Sequence, residues 1–117
     1  MTLSEVAYDG TKPIDGYGPG FFRIGGVVLH GPCIVAPWGA GAWGGLGDTA
    51  ALTALASRID VLFLGMGVQI AHPPADLRTA LEGAGIGVEV MSSPAAARTY
   101  NVLLSEGRRI AAALLPV

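Results

Sequence analysis

A chain of 117 residues can bury a core of two or three layers without metals or disulfides, so a single domain over 1–117 is expected. Its formal net charge of -2, with Lys and Arg scattered along the chain, excludes the basic footprint of a nucleic-acid-binding protein. The single cysteine, Cys33, excludes an intramolecular disulfide and points to a reducing, cytoplasmic setting.

The mean hydropathy of +0.53 raises the question of a membrane span, and the uncharged stretch 24–46 has the length for one. Gly25, Gly26, Gly31, Pro32 and Pro37 interrupt it as turns interrupt strands, so no transmembrane segment is expected. Any membrane contact is then expected to be peripheral, through a partner. The first five residues, Met1-Thr2-Leu3-Ser4-Glu5, lack the basic and apolar regions of a secretory signal.

In chain order, residues 1–20 carry Asp9-Gly10, Pro13, Asp15-Gly16 and Gly18-Pro19-Gly20. They read mostly as loop around one short strand near 5–8. Phe21-Phe22-Arg23-Ile24 and Val27-Val28-Leu29-His30 then flank Gly25-Gly26, the pattern of a tight β-hairpin. Its register pairs Phe22 with Leu29 and Ile24 with Val27 on a face expected to be buried. Cys33-Ile34-Val35-Ala36 is a short apolar strand, and 37–47 reads as a Gly-rich loop holding Trp38 and Trp43. Asp48 is placed to cap a helix over 49–58 whose apolar stripe is Leu52, Leu55, Ala56 and Ile59.

Val61-Leu62-Phe63-Leu64-Gly65 is continuously apolar, as a strand covered on both faces should be. Pro73-Pro74 opens a helix that Gly83 and Gly85 end, and Ile86-Gly87-Val88-Glu89-Val90-Met91 is the next strand. Ser93 as N-cap with Pro94 behind it starts a helix to about residue 105 that Gly107 terminates. Its core face is Ala96, Tyr100, Leu103 and Leu104. The run 109–115 reads as a last strand, although its alanines favour helix. The alternation predicts an α/β domain with a mixed sheet of about five strands, to which the front hairpin adds antiparallel pairing.

Gly65-Met66-Gly67 follows a strand but lacks the third glycine of a dinucleotide fingerprint, since Ile70 stands there. Were 61–65 and 86–91 parallel, their carboxyl ends would share the edge where open α/β sheets place ligands. Gly65, Met66, Gly67, Met91, Ser92, Ser93 and Asn101 are therefore candidates for a pocket taking a small anion or polar molecule. The bland reading is a tight turn at Gly65 and Gly67. Asn101 and Glu106 read better as groups that tie loops down than as chemical groups.

Cys33, His30 and His72 stand at no metal-ligand spacing, so no metal is expected. Cys33 reads as a buried structural thiol rather than a nucleophile. The loop bearing Trp38 and Trp43 lacks the G-K-[ST] ending of a phosphate-binding loop. Its tryptophans are candidates for a partner-binding patch, with packing onto the sheet as the alternative. No catalytic residue and no cofactor is identified.

Gly31-Pro32-Cys33, Trp43, Leu64-Gly65-Met66-Gly67, Gly85-Ile86-Gly87-Val88-Glu89-Val90, Arg98-Thr99-Tyr100-Asn101-Val102-Leu103, Glu106-Gly107-Arg108 and Ala112-Ala113-Leu114-Leu115-Pro116 follow one another in a recognisable order. In that order and spacing the chain resembles the Mth-like domain family, which includes the mitochondrial complex I assembly factor 3. The resemblance runs from Tyr17 to Pro116 and is most specific from Ile86 onward. It implies a three-layer α/β fold with a mixed central sheet of about five strands flanked by helices, and no established enzymatic activity. For the mitochondrial branch it implies assembly of NADH:ubiquinone oxidoreductase together with other assembly factors. The expectation is a non-enzymatic interaction protein whose partners are complex I subunits or assembly factors. Its alternative is a small-molecule-binding protein or an unrecognised enzyme with a site at the carboxyl edge of the sheet. Met66 departs from the small polar residue expected between the two glycines, which puts a polar ligand contact there in doubt.

Overall fold

The structure is a computed structural model that describes residues 12–117; the short strand expected near 5–8 lies outside them. Ile14–Gly18 (β1), Phe21–Ile24 (β2) and Val27–His30 (β3) form a three-stranded antiparallel sheet. Cys33–Ala36 (β4), Gly39–Ala42 (β5), Val61–Gly65 (β6), Gly87–Met91 (β7) and Ile110–Leu114 (β8) form a five-stranded sheet in the order β5-β4-β8-β6-β7. The three helices are Thr49–Thr53 (α1), Ala75–Gly83 (α2) and Ser93–Ser105 (α3). In the large sheet β8, β6 and β7 are parallel while β4 is antiparallel to both β8 and β5, so the sheet is mixed, as expected.

Because side chains alternate across a strand, each central strand feeds two cores. Leu62, Leu64, Ala111 and Ala113 pack with Leu52, Leu55, Leu77 and Leu81 of the α1–α2 side. Phe63, Ala112 and Leu114 pack on the opposite side with Tyr100 and Leu104 of α3 and with Phe22 and Ile24 of the small sheet. The result is three layers, with α1 and α2 on one face and α3 with the small sheet on the other.

The hairpin has the predicted register, with Phe22 opposite Leu29 and Ile24 opposite Val27. Gly25 and Gly26 take φ 58° and 84°, the double positive φ that a two-residue hairpin turn demands. The buried face is carried by Phe22 and Ile24, while Val27 stays 42% exposed. The hairpin does not extend the central sheet. It joins β1 in a sheet of its own.

Two segments read as loop are strands. Ile14–Gly18 has weak strand propensity, but Gly16 and Gly18 leave room for the side chains of Arg23 and Phe21, whose atoms a Cβ would meet at 2.9 and 2.5 Å. Gly39–Ala42 pairs with β4 through the turn at Pro37-Trp38, and Gly39, Ala40 and Gly41 are buried. Glycine and alanine suit a strand packed this closely.

Asp48 does cap α1, accepting from the Ala51 N–H at 3.3 Å. The helix ends at Thr53 and continues as turns to Arg58, short of the expected 49–58, with Ser57 forced to φ 68°. The N-cap of α3 is Ser92 rather than Ser93, and Pro94 is its second residue. The alanine-rich tail is a strand, because β8 lies between β4 and β6 and both of its faces are buried, which overrides helix propensity.

Candidate functional site

Parallel β6, β7 and β8 deliver three chain segments to one edge: Gly65-Met66-Gly67, Met91-Ser92-Ser93 and Leu114-Leu115-Pro116. The backbone ties them together. The Met66 N–H donates to the Met91 carbonyl at 2.9 Å, the Leu115 N–H to the Gly65 carbonyl at 2.9 Å, and the Ser93 N–H to the Gly67 carbonyl at 2.7 Å. Ser93, fully buried, adds a side-chain clasp. Its Oγ accepts from the Gly67 N–H at 2.9 Å and donates to the Leu115 carbonyl at 2.6 Å.

Gly65 makes this closeness available. A Cβ there would lie 2.7 Å from Ser93 Oγ, 2.8 Å from Ser93 Cα and 2.9 Å from Leu114 Cδ2. Gly67 holds φ 96°, a left-handed conformation that costs a non-glycine residue energy. Both glycines are required here by the approach of α3 and by the turn, which is the bland reading of the sequence.

The donors of the first turn of α3 are spent internally. The Ser93 N–H goes to Gly67, Pro94 has none, the Ala95 N–H reaches Ser92 Oγ at 3.3 Å, and the Ala96 N–H meets the Ser92 carbonyl at 2.9 Å. An anion needs free N–H groups at a helix start. The geometry at Gly65, Gly67, Ser92 and Ser93 is that of a structural clasp.

The other predicted residues disperse. Met66 packs against the α1–α2 core and Met91 against the α3 core, so their side chains leave the edge on opposite faces. Asn101 lies eight residues beyond Ser93, about 12 Å along the helix. Its amide makes a reciprocal pair with one residue of β1, donating to the Ile14 carbonyl at 2.9 Å and accepting from the Ile14 N–H at 2.8 Å. It ties a segment down, as the sequence suggested for it. Trp43 is 4% exposed and its Nε1 donates to the Asp48 carbonyl at 3.0 Å, so it belongs to the core and not to a surface patch. Trp38 is half-buried, with the Arg58 guanidinium 3.8 Å above its ring.

Cys33 is buried in β4, and desolvation pushes its thiol from 9.0 up to about 12. It stays protonated at neutral pH and is a poor nucleophile. Among the described residues no group of three or more His, Cys, Asp or Glu is placed to hold a metal ion, and no helix is long and apolar enough to cross a membrane.

Sequence reading missed a groove of about 590 Å³ lined by residues 70–73, by Ala75 and Arg78 of α2, and by Val90 of β7. Val68 and Ile70 on the adjoining loop are 69% and 68% exposed. The signal for it was two large apolar residues in a segment otherwise read as loop.

Residues 14–115 match the model of a family described as a protein of unknown function (DUF498/DUF598). The chain is 53% identical to an uncharacterised protein of Rhodobacter capsulatus, across 100% of this chain and 94% of that one. It is 36% identical to the Danio rerio protein named NADH dehydrogenase (ubiquinone) 1 alpha subcomplex assembly factor 3, across 97% of this chain and 69% of that protein. A solved Bartonella henselae structure, described as an outer membrane protein, is similar at a TM-score of 0.84 and 36% identity, covering 94% of this chain and 98% of that one. A Bordetella pertussis structure described as a Mth938-like domain matches at a TM-score of 0.76 and 27% identity, covering 99% and 92%.

Proposed function

The chain belongs to the DUF498/DUF598 family, and from that membership we propose that it is a non-enzymatic interaction protein aiding assembly of respiratory complex I or a related complex. The observation that carries the reading is the 36% identity to a protein named as a complex I assembly factor, over 97% of this chain. The chemistry of the carboxyl edge supports it. The donors that a small anion would need are engaged by the protein itself, through Ser92, Ser93 and Gly67. Its work is then binding rather than turnover, with complex I subunits or other assembly factors as partners in the cytoplasm.

A clean deletion in the source organism tests this. Assembled NADH dehydrogenase, measured by native gel and by NADH oxidation in membranes, should fall while synthesis of its subunits is unchanged, and the wild-type chain should restore it. Normal levels of the assembled complex in the deletion strain would overturn the proposal.

A further inference from the structure

We propose that the outer edge of β7, with the groove beside it, is the docking site for an extended partner segment that adds as a sixth strand and carries an apolar and an acidic residue two positions apart, on one face. This rests on the reading of the protein as one that binds other proteins.

The edge is open. β7 ends the sheet order, and no described residue pairs with its outer side. The Gly87 N–H donates to the Asp60 carbonyl at 2.9 Å and the Met91 carbonyl accepts from Met66 at 2.9 Å. Residues 87, 89 and 91 therefore turn their backbone groups toward β6. Backbone direction alternates along a strand, so Val88 and Val90 present their N–H and C=O groups outward, a ready template for strand addition. The opposite edge, β5, is buried at Gly39, Ala40 and Gly41 and has β3 beside it. In the small sheet, an irregular register between Ile14 and Gly16 blunts the edge at β1, as bulges do.

The groove supplies specificity. Val90 lines it, so a strand laid on β7 would set every second side chain beside the opening, near the exposed Ile70, and turn the others to the face where Glu89 is exposed. Ile70, Ala71, Pro73 and Ala75 make the lining largely apolar. The one charged side chain in it is the cation Arg78, with His72 beside it and no carboxylate. Arg78 Nη1 stands 3.6 Å from Glu82 Oε2, with both side chains substantially exposed. The other guanidinium donors are left for an incoming carboxylate, which they match in geometry. Arg78 and the apolar lining share the groove with Val90, on one face of β7. The groove therefore fits an extended segment with a valine-like and an acidic residue at i and i+2 and neutral residues turned toward Glu89 on the other face.

The experiment titrates the isotope-labelled full chain with a capped seven-residue peptide of threonines bearing valine, glutamate and valine at its second, fourth and sixth positions, followed by NMR. Amide shifts should concentrate at Val88, Val90 and residues 70–78. N-methylation of alternate peptide nitrogens, which leaves the protein untouched, should abolish them. Arg78→Glu should weaken the glutamate peptide at least about fivefold, the scale of an exposed charge pair, and favour a lysine version. Val88→Pro, which removes an outward N–H and spares the β6 ladder, should remove binding without unfolding. Equal binding of the lysine peptide, retention after N-methylation, shifts elsewhere, or no shift at millimolar peptide would overturn the proposal. Concentration-dependent pairing of the chain through β7, seen by sedimentation, would overturn it in favour of a second copy. The deletion phenotype does not depend on which surface binds, so failure here leaves the assembly role standing, and a normal deletion strain leaves these titrations unaffected.

Discussion

The clasp at the carboxyl edge depends on two side-chain choices, the absence of one at Gly65 and the hydroxyl of Ser93. Any Cβ at Gly65 falls within 2.9 Å of backbone and side-chain atoms of Ser93 and Leu114, distances that neighbouring groups must move to relieve. Gly65→Val should therefore destabilise by about 1 to 3 kcal/mol, as overpacking does. Ser93→Ala should cost a similar amount for a different reason. It strands the Gly67 N–H and the Leu115 carbonyl, which both use the hydroxyl, at about 1 to 3 kcal/mol for buried groups left unsatisfied. Chemical denaturation of both variants checks this pair. The informative control is Gly83→Ala, where a Cβ would meet nothing within 4 Å and stability should hold or rise slightly. Equal loss at all three glycine and serine sites would refute the clasp.

Among the elements, β1 is the one least supported by its own sequence. It has two glycines in five residues, IDGYG, and is held by β2 on one side and by the Asn101 amide on the other. The Asp15 carboxylate adds a local brace. It accepts from Arg23 Nε at 2.8 Å and from the Gly26 N–H at 2.9 Å, but these groups are exposed and worth little to stability. The Asn101 pair bonds both polar groups of Ile14, which is 6% exposed. Asn101→Ala should cost about 2 kcal/mol at roughly 1 per hydrogen bond, and Ile14 amide hydrogen exchange should accelerate more than exchange in β6. Unchanged exchange at Ile14 would show that β2 alone holds the strand. Asn101 is thus a positioning residue for an element, as the sequence reading favoured, and was misplaced only when grouped with Gly65 and Ser93.

At the scale of the molecule, the layers seal the central strands from water on both faces, and Cys33 records how dry that interior is. Its folded pKa of about 12 exceeds the ordinary 9.0. The neutral thiol is therefore favoured by folding, and its contribution is fully present below pH 9 and lost as pH rises toward 12. Unfolding free energy should fall by up to about 1.4 kcal/mol per pH unit in that window. Cys33→Ala should flatten that part of the slope, whatever it does to absolute stability. The check is denaturant melts at pH 8, 10 and 11. The same sealing leaves β7 as the exposed boundary of the large sheet, and that is where a partner could extend it.

Elements whose signals are local were legible in the chain alone. Gly25-Gly26 demanded the hairpin, the apolar run at Val61 marked a strand covered on both faces, Asp48 announced a helix start, and Gly107 a helix end. The segments that complete the family resemblance also pointed to the mixed five-stranded sheet. Tertiary structure decided what depends on neighbours distant in sequence. Gly39–Ala42 and Ile14–Gly18 are strands because β4 and β2 offer them ladders, against their own propensity. The alanine-rich tail is a central strand for the same reason. The candidate site was half legible: Gly65, Gly67 and Ser93 were rightly brought together, since parallel strands end at one edge. Whether their polar groups face a ligand or one another was invisible, because hydrogen-bond satisfaction depends on the relative placement of three chain segments. Trp43 likewise carried no sign of its burial, since a tryptophan in a Gly-rich stretch reads the same whether a core or a partner covers it. The groove beside β7 exists only where α2, its preceding loop and an edge strand converge, a juxtaposition that no local pattern encodes.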